Sequence, residues 1–195
     1  MAPAGATKAQ LFNQLCAVYI ERGYDGATLT HLAHASELSK ASLYHHFPGG
    51  KPEMAAVLVR HTIGILHQEV FTLLGKAVAK PANATKRLHE FIDAYANYVE
   101  QGEKPCLLCV LVQHTNANND LASLHVLIAE QNADWLVNLS AALESAGLKA
   151  KRARREAHNL MNTLYGAQIT AKMLGKPEVF ADLIKQLHKA LDRLL

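Results

Sequence analysis

Between Ser39 and Lys51 the chain gathers two serines, two lysines, a tyrosine and two histidines around Leu43 and Phe47, apolar residues one helical turn apart. Ser39 is the residue type that caps a helix by accepting from its first free amides, and such a helix end also faces a phosphate favourably. On a short helix beginning at Lys40, the side chains of Lys40, Ala41, Ser42, Tyr44 and His45 are small or polar and point outward. They can approach base edges and backbone in a major groove, while Leu43 and Phe47 hold the helix from behind. Lys51, at the start of the next helix, adds a cation suited to a phosphate oxygen.

Other groups invite chemistry and have simpler readings. Cys106-x-x-Cys109 is half a zinc site, completed by His114 or His125 only if the fold brings them in. Leu107, Leu108, Val110 and Leu111 make the segment apolar, so buried packing is expected, with a low-pKa sensor thiol as the alternative. His31 and His34 share a helix face without a third ligand and read as surface polar residues. His45 and His46 are adjacent and point apart. The run Lys151-Arg152-Ala153-Arg154-Arg155 reads as a solvated helix start; because basic groups oppose the dipole there, Glu156 is an expected partner. No nucleophile-elbow glycine pattern or His-Glu-x-x-His spacing appears, and Pro48-Gly49-Gly50-Lys51 lacks the strand and spacing of a phosphate-binding loop. No enzyme activity, metal or cofactor is expected.

The elements that must position these residues are helices. No alternating apolar run bounded by hairpin dipeptides is present. Apolar periodicity predicts a first helix from Thr7 to Arg22 ended by Gly23, and a short second helix capped by Thr28 or Thr30. A turn at Ser36-Glu37-Leu38 leads to the third, Lys40 to His46. A long fourth helix runs from about Pro52 to Gly75, and a fifth from about Ala84 to Gln101. Cys106 to His114 forms a short sixth, before a polar turn at Asn116 to Asp120. The last three cover about Leu121 to Ser145, Lys151 to Leu174 and Pro177 to Leu195. The reading is all-α with about nine helices. The division falls between residues 1–51, a helix-turn-helix head, and 52–195, a helical bundle.

Composition fits this. Of 195 residues, half are hydrophobic and 19% charged, an ordinary globular balance. The formal charge of +3 permits a polyanionic partner without demanding one. Residues 1–51 carry Lys8, Arg22, Lys40 and Lys51 against Glu21, Asp25 and Glu37, which is 4 − 3 = +1, so tight binding would need two copies. Three cysteines do not suggest a disulfide framework. The small, polar start of the chain shows no leader and no segment is long and apolar enough for a membrane, so a cytoplasmic location is expected.

From Thr28-Leu29-Thr30-His31-Leu32-Ala33 through Tyr44-His45-His46-Phe47-Pro48-Gly49-Gly50-Lys51, the sequence resembles the DNA-binding signature of TetR-family regulators. The likeness covers about residues 7–60, with a Cys-Leu-Leu stretch at Cys106 to Leu108 that recurs in one subgroup. It implies phosphate contacts from Thr28, Thr30, Ser39, Tyr44 and Lys51, with Lys40, Ala41, Ser42 and His45 near base edges. Glu37 departs from the family turn, which usually carries glycine; a glutamate there costs backbone ease and puts negative charge near DNA. The resemblance also implies a mostly apolar effector pocket, for which Tyr95, Tyr98, Cys109, Gln113, Trp135, Met161, Tyr165 and Gln168 are candidates. A homodimer interface would come from the last two helices, through Leu160, Leu164, Phe180, Leu183, Ile184, Leu187 and Leu191. The implied function is a ligand-responsive transcriptional regulator of the homodimeric helix-turn-helix type. It is expected to be a repressor that a small apolar effector releases from a palindromic double-stranded DNA operator. The alternative is a cysteine-based redox- or metal-responsive regulator of the same fold.

Overall fold

The computed structural model describes residues 7–115 and 121–195, and the expected turn at Asn116 to Asp120 lies outside them. Among the described residues the regular structure is entirely helical. Three short or medium helices come first: α1 (Lys8–Gly26), α2 (Leu29–Ala35) and α3 (Lys40–His46). α4 (Gly50–Leu66) continues through a π-type turn, His67–Phe71, into α5 (Thr72–Ala79). Both residues flanking that turn, Leu66 and Thr72, are right-handed helical, so helical backbone persists from Gly50 to Ala79 and counts as one long helix. Then come α6 (Ala84–Tyr98), α7 (Leu107–Val112), α8 (Ala122–Ser145), α9 (Ala150–Leu174) and α10 (Pro177–Leu194). Counted this way, nine helices are seen among the described residues, as the periodicity predicts.

Local chemistry sets the ends. Thr7 accepts from the Gln10 amide at 3.3 Å while Gln10 Oε1 accepts from the Thr7 amide at 2.7 Å, a reciprocal capping box that starts α1. α1 outruns its expected end at Arg22 because it breaks at Gly23 and resumes to Gly26. α6 stops at Tyr98, three residues before its expected end at Gln101. Glu100 and Gln101 are left-handed, with φ of 49° and 56°, a conformation no right-handed helix continues through. The Cys106 to His114 helix contracts to Leu107–Val112, while the long helix passes Gly75.

The chain forms two compact units. The first holds residues up to Gly64 together with Cys106–Ala129. Phe12, Leu15, Val18 and Tyr19 of α1, Leu32 of α2, Leu43 of α3 and Met54 and Leu58 of α4 are buried there. Phe12 meets the Phe47 ring at 6.5 Å and the His61 ring edge-on at 5.0 Å. At roughly 1.5–3 kcal/mol per fully buried large apolar side chain, this core is what holds three short helices that would not persist alone.

The second unit holds Ile65–Pro105 and Glu130–Leu195. Its centre is aromatic. Phe71 stacks on Trp135 at 4.1 Å, 5° from parallel, and presents an edge to Phe91 at 5.3 Å. Gly102, at φ 94°, lies so close to Phe180 that a Cβ would sit 2.7 Å from the ring, so the contact requires glycine. α10 packs along α9 and against α6.

Candidate nucleic-acid interface

α2 and α3 are joined by a turn built entirely from neighbouring residues. Thr28, rather than Thr30, caps α2, accepting from the His31 amide at 3.3 Å. Ser39 caps α3, accepting from the Ser42 amide at 3.0 Å, as its residue type predicts. Between them, the Leu38 amide donates to Ala33 O at 3.1 Å and the Glu37 amide to His34 O at 3.2 Å. This pair of bonds is a Schellman ending, with Glu37 at its left-handed position, φ 54°. A side chain there costs about 1–2 kcal/mol relative to ordinary helical backbone, the conformation glycine would adopt freely. The buried Ser36 hydroxyl donates to Leu32 O at 2.7 Å beneath the turn.

α3 is thereby held by one face and open on the other. Leu43 is fully buried, and Leu38 and Phe47 nearly so. Lys40, Ala41, Tyr44 and His45 are exposed, as are Thr28, Thr30 and Ser39, and Ser42 is half-buried. Tyr44 keeps 47% of its surface exposed, unusual for an aromatic ring and suited to stacking along a sugar–phosphate backbone.

Lys51 is placed differently from the rest. Its ammonium donates to Tyr24 O at 2.8 Å and lies 4.3 Å from the centre of the Tyr24 ring. Tyr19 stacks on Tyr24 at 6.1 Å and donates its hydroxyl to Lys51 O at 3.2 Å. Burial, then the neighbouring Tyr24 and Cys16, push the Tyr19 phenol well above the ordinary range, so it stays a donor at every physiological pH. Lys51 thus ties the start of α4 to the end of α1, with two N–H groups of the ammonium beyond that bond. Two further features complete the corner: Gly50 turns at φ 68°, and Glu53 accepts from the Gly49 amide at 2.6 Å. Sequence reasoning missed Tyr24 and Glu53; the four-residue spacing from Gly49 to Glu53 was the available signal.

Residues 11–57 match the family model described as bacterial regulatory proteins, tetR family. This stretch, the head of the chain, is similar to the DNA-binding part of TetR-family regulators. Solved structures share the fold over almost all of the chain. A TetR transcriptional regulator from Legionella pneumophila superposes with a TM-score of 0.69 at 19% identity, covering 96% of this chain and 98% of that one. A TetR-family regulator from Agrobacterium tumefaciens gives 0.73 at 17% identity, with coverage of 94% and 98%. The fatty acid degradation regulator FadR from Bacillus halodurans gives 0.66 at 18%, with coverage of 95% and 97%.

The candidate effector residues fall in both units. Tyr95, Tyr98, Trp135, Met161, Tyr165 and Gln168 belong to the second, Cys109 and Gln113 to the first. Within the second unit the Tyr95 and Tyr165 rings meet edge-on at 6.0 Å, Tyr165 donates to Asn132 Oδ1 at 2.9 Å, and Gln168 donates to Lys104 O at 3.0 Å. Tyr98 faces the Lys104 ammonium at 5.9 Å, and Met161 is buried. Gln113 is exposed and bonded to Cys109 O, so it is a surface residue of its unit.

Five of the residues expected at the dimer interface (Leu160, Leu164, Phe180, Ile184 and Leu191) are buried inside the second unit's own core, leaving Leu183 and Leu187 half-exposed. The reason is the broad apolar face of α10, which α9 and α6 already cover.

Cys106 is buried and Cys109 half-buried, and neither is joined in a disulfide. The hydrogen bond with Cys106, then burial, drive the Cys109 thiol far above the usual range, the opposite of a sensor thiol. Among the described residues no set of three metal-ligating side chains gathers. Glu156 pairs with Arg155 at 2.9 Å, as expected for the basic start of α9. Among the described residues no helix is long and apolar enough to cross a membrane.

Proposed function

We propose that this chain is a homodimeric, TetR-type repressor that reads a palindromic operator through α3 and leaves it when a small, mostly apolar effector binds. The observation that carries the reading is the capped α3, anchored by Leu43 and presenting Lys40, Ala41, Tyr44 and His45 outward with Ser42 beside them. Thr28, Thr30, Ser39 and Tyr44 contact phosphates and so set register; Lys40, Ala41, Ser42 and His45 face base edges. Lys51 offers its remaining donors to a phosphate from its tether on Tyr24. In this reading the DNA-reading head is residues 1–51 and the sensing and dimerising part 52–195.

A single head with net charge +1 binds weakly, so two are needed, spaced about one turn of DNA, roughly 34–36 Å. The second copy docks on the outer side of α9 and α10. That side has a groove of about 180 Å³ lined by Leu160, Thr163, Leu187, Ala190 and Leu194, and strongly exposed Met173 and Ile169 lie further along α9. The effector occupies the aromatic interior of the second unit, around Tyr95, Tyr165 and Trp135. An apolar occupant suits that lining, and one structural neighbour is a fatty acid degradation regulator. Binding favours a conformer in which the long helix after the head swings and the head spacing changes; release follows from the effector's differential affinity for the two conformers.

The test is fluorescence anisotropy of the full chain against duplexes selected from a random pool. Submicromolar binding to a palindrome is expected, with a salt slope that falls by about 0.9 for each phosphate-contacting lysine removed. Lys40→Ala and Tyr44→Ala should weaken it while leaving the dimer intact in sedimentation. Equal affinity for selected and scrambled duplexes at low salt would remove the reading.

A further inference from the structure

His89 on α6 and His188 on α10 lie ring against ring, with centroids 4.9 Å apart and planes 11° from parallel. Their Nδ1 atoms approach to 2.6 Å. Each ring's far nitrogen meets a carboxylate from the opposite helix: His89 Nε2 lies 2.9 Å from Asp192, and His188 Nε2 lies 2.9 Å from Asp93. Both helices read His-x-x-x-Asp, His89 to Asp93 and His188 to Asp192, so each places its ring and carboxylate one turn apart on a single face. The crossed pairing of the two motifs yields a continuous line, Asp93–His188–His89–Asp192.

Counting protons shows what this line requires. Each carboxylate must receive an Nε2–H, and one Nδ1 must donate to the other. That is three protons on two imidazoles, one ring neutral and one cationic. A fourth proton sets two N–H donors against each other at 2.6 Å and adds a second positive charge. Loss of the third leaves either two lone pairs facing each other or a lone pair facing a carboxylate.

We propose that this line is a binding site for one shared proton, which clamps α10 to α6 at half-protonation and loosens it on acidification. The rings are about three-quarters buried, so the contact is shielded, while Asp93 and Asp192 are mostly exposed and keep it in exchange with water. Several other charged groups on the packed elements have partners of their own, while Glu69 and Lys76 on the elements before α6, Lys172 on α9 and Glu178 at the start of α10 are exposed. Lys86 and Arg87 pair with Glu90 on α6, and Lys185 pairs with Asp182 on α10. Glu100 pairs with Lys104 after α6, and Glu156 with Arg155 on α9. Lys189 and Arg193 flank the line on α10 and are exposed. Carboxylate-held imidazoles with converging Nδ1 atoms also resemble half a metal site, so the test includes a metal.

Hydrogen–deuterium exchange of α10 amides is followed in the full chain from pH 4.5 to 8, with intrinsic exchange rates divided out. Opening of α10 is expected to pass through a minimum and to rise by up to about tenfold per pH unit on the acid side of that minimum, the slope of a single proton. His188→Gln and, independently, His89→Gln should flatten that acid limb while circular dichroism reports unchanged helix content. A flat wild-type profile, or variants that track the wild type, would overturn the proposal. So would zinc chloride at neutral pH protecting α10 in the wild type and not in His89→Gln; no effect of zinc supports the proton.

Discussion

The two units meet their polar obligations in different ways. Around the α2–α3 turn the bonds join residues three to five apart: Thr28 to His31, Ser39 to Ser42, Leu38 to Ala33, Gly49 to Glu53, with longer ties only where Lys51 meets Tyr24 and Tyr19. The second unit works across the chain, with Tyr165 bonded to Asn132, Gln168 to Lys104, and His89 to His188 at a separation of 99 residues. It also leaves the Trp135 indole N–H and the Ser140 hydroxyl buried with no partner. An unsatisfied buried donor costs about 1–3 kcal/mol. In the proposed function, the surface that meets DNA in one register is held by local bonding. The proposed effector site lies in an interior that carries an unmet donor, and such a donor rewards an occupant bearing an acceptor.

The sharpest way to break this comparison is at Trp135. Trp135→Ala should destabilise by about 3–5 kcal/mol in urea denaturation, through lost stacking on Phe71 and an unfilled cavity. Trp135→Phe keeps a ring and removes the unmet donor, so it should cost less than about 1.5 kcal/mol. A cost for Trp135→Phe as large as for alanine would show that the indole N–H is satisfied after all. In the head, Ser39→Ala should cost about 0.5–2 kcal/mol, and Ser39→Asp should retain most of the stability because aspartate caps equally well. If both behaved alike, the local account of α3 would fail. Glu37→Gly should act in the opposite direction, adding about 1 kcal/mol in thermal or urea unfolding and tightening DNA binding by removing a nearby negative charge.

The smallest effect concerns Glu156. Asn159 first, then Arg155 and Arg152, hold its carboxyl below the usual range. Its contribution is therefore present above the ordinary carboxylate range and is lost as pH falls through the lowered value. Glu156→Gln should cost under about 1 kcal/mol at pH 7 and nothing once the wild-type carboxyl is protonated. A cost that persisted at low pH would assign the contact to packing instead of charge.

Legibility followed the same divide. The head could be read because its helices are set by caps, a turn and two apolar anchors that lie side by side in sequence. The cap on Ser39, the buried Leu43 and Phe47 and the left-handed cost at Glu37 all follow from residue types at short spacing. Lys51 was read as a charge and is also a tether, because Tyr24 reaches it only through the break at Gly23. Helix number and order followed from apolar periodicity. The fate of the apolar faces did not: Phe180 and Ile184 carry the same pattern whether they meet α6, α9 or a second chain. His89 and His188 show a repeated His-x-x-x-Asp spacing, yet nothing in one helix announces which other helix it will face.

The π-type turn at His67–Phe71 works as a leap day does in a calendar. A strict 3.6-residue count slowly drifts from the rows of buried positions, and one wide turn resets the phase so that Val70, Phe71 and Leu74 come inward together. Such a turn holds one residue more than a regular turn. Deleting one residue between His67 and Phe71 would therefore regularise the helix and leave the later side chains in phase with those before it, whereas closing the same residues into regular α-helix would rotate every later side chain by about 100°. The second change would carry Phe71 off the face of Trp135, and a substitution of exposed Gln68 at the same turn would pass almost unnoticed.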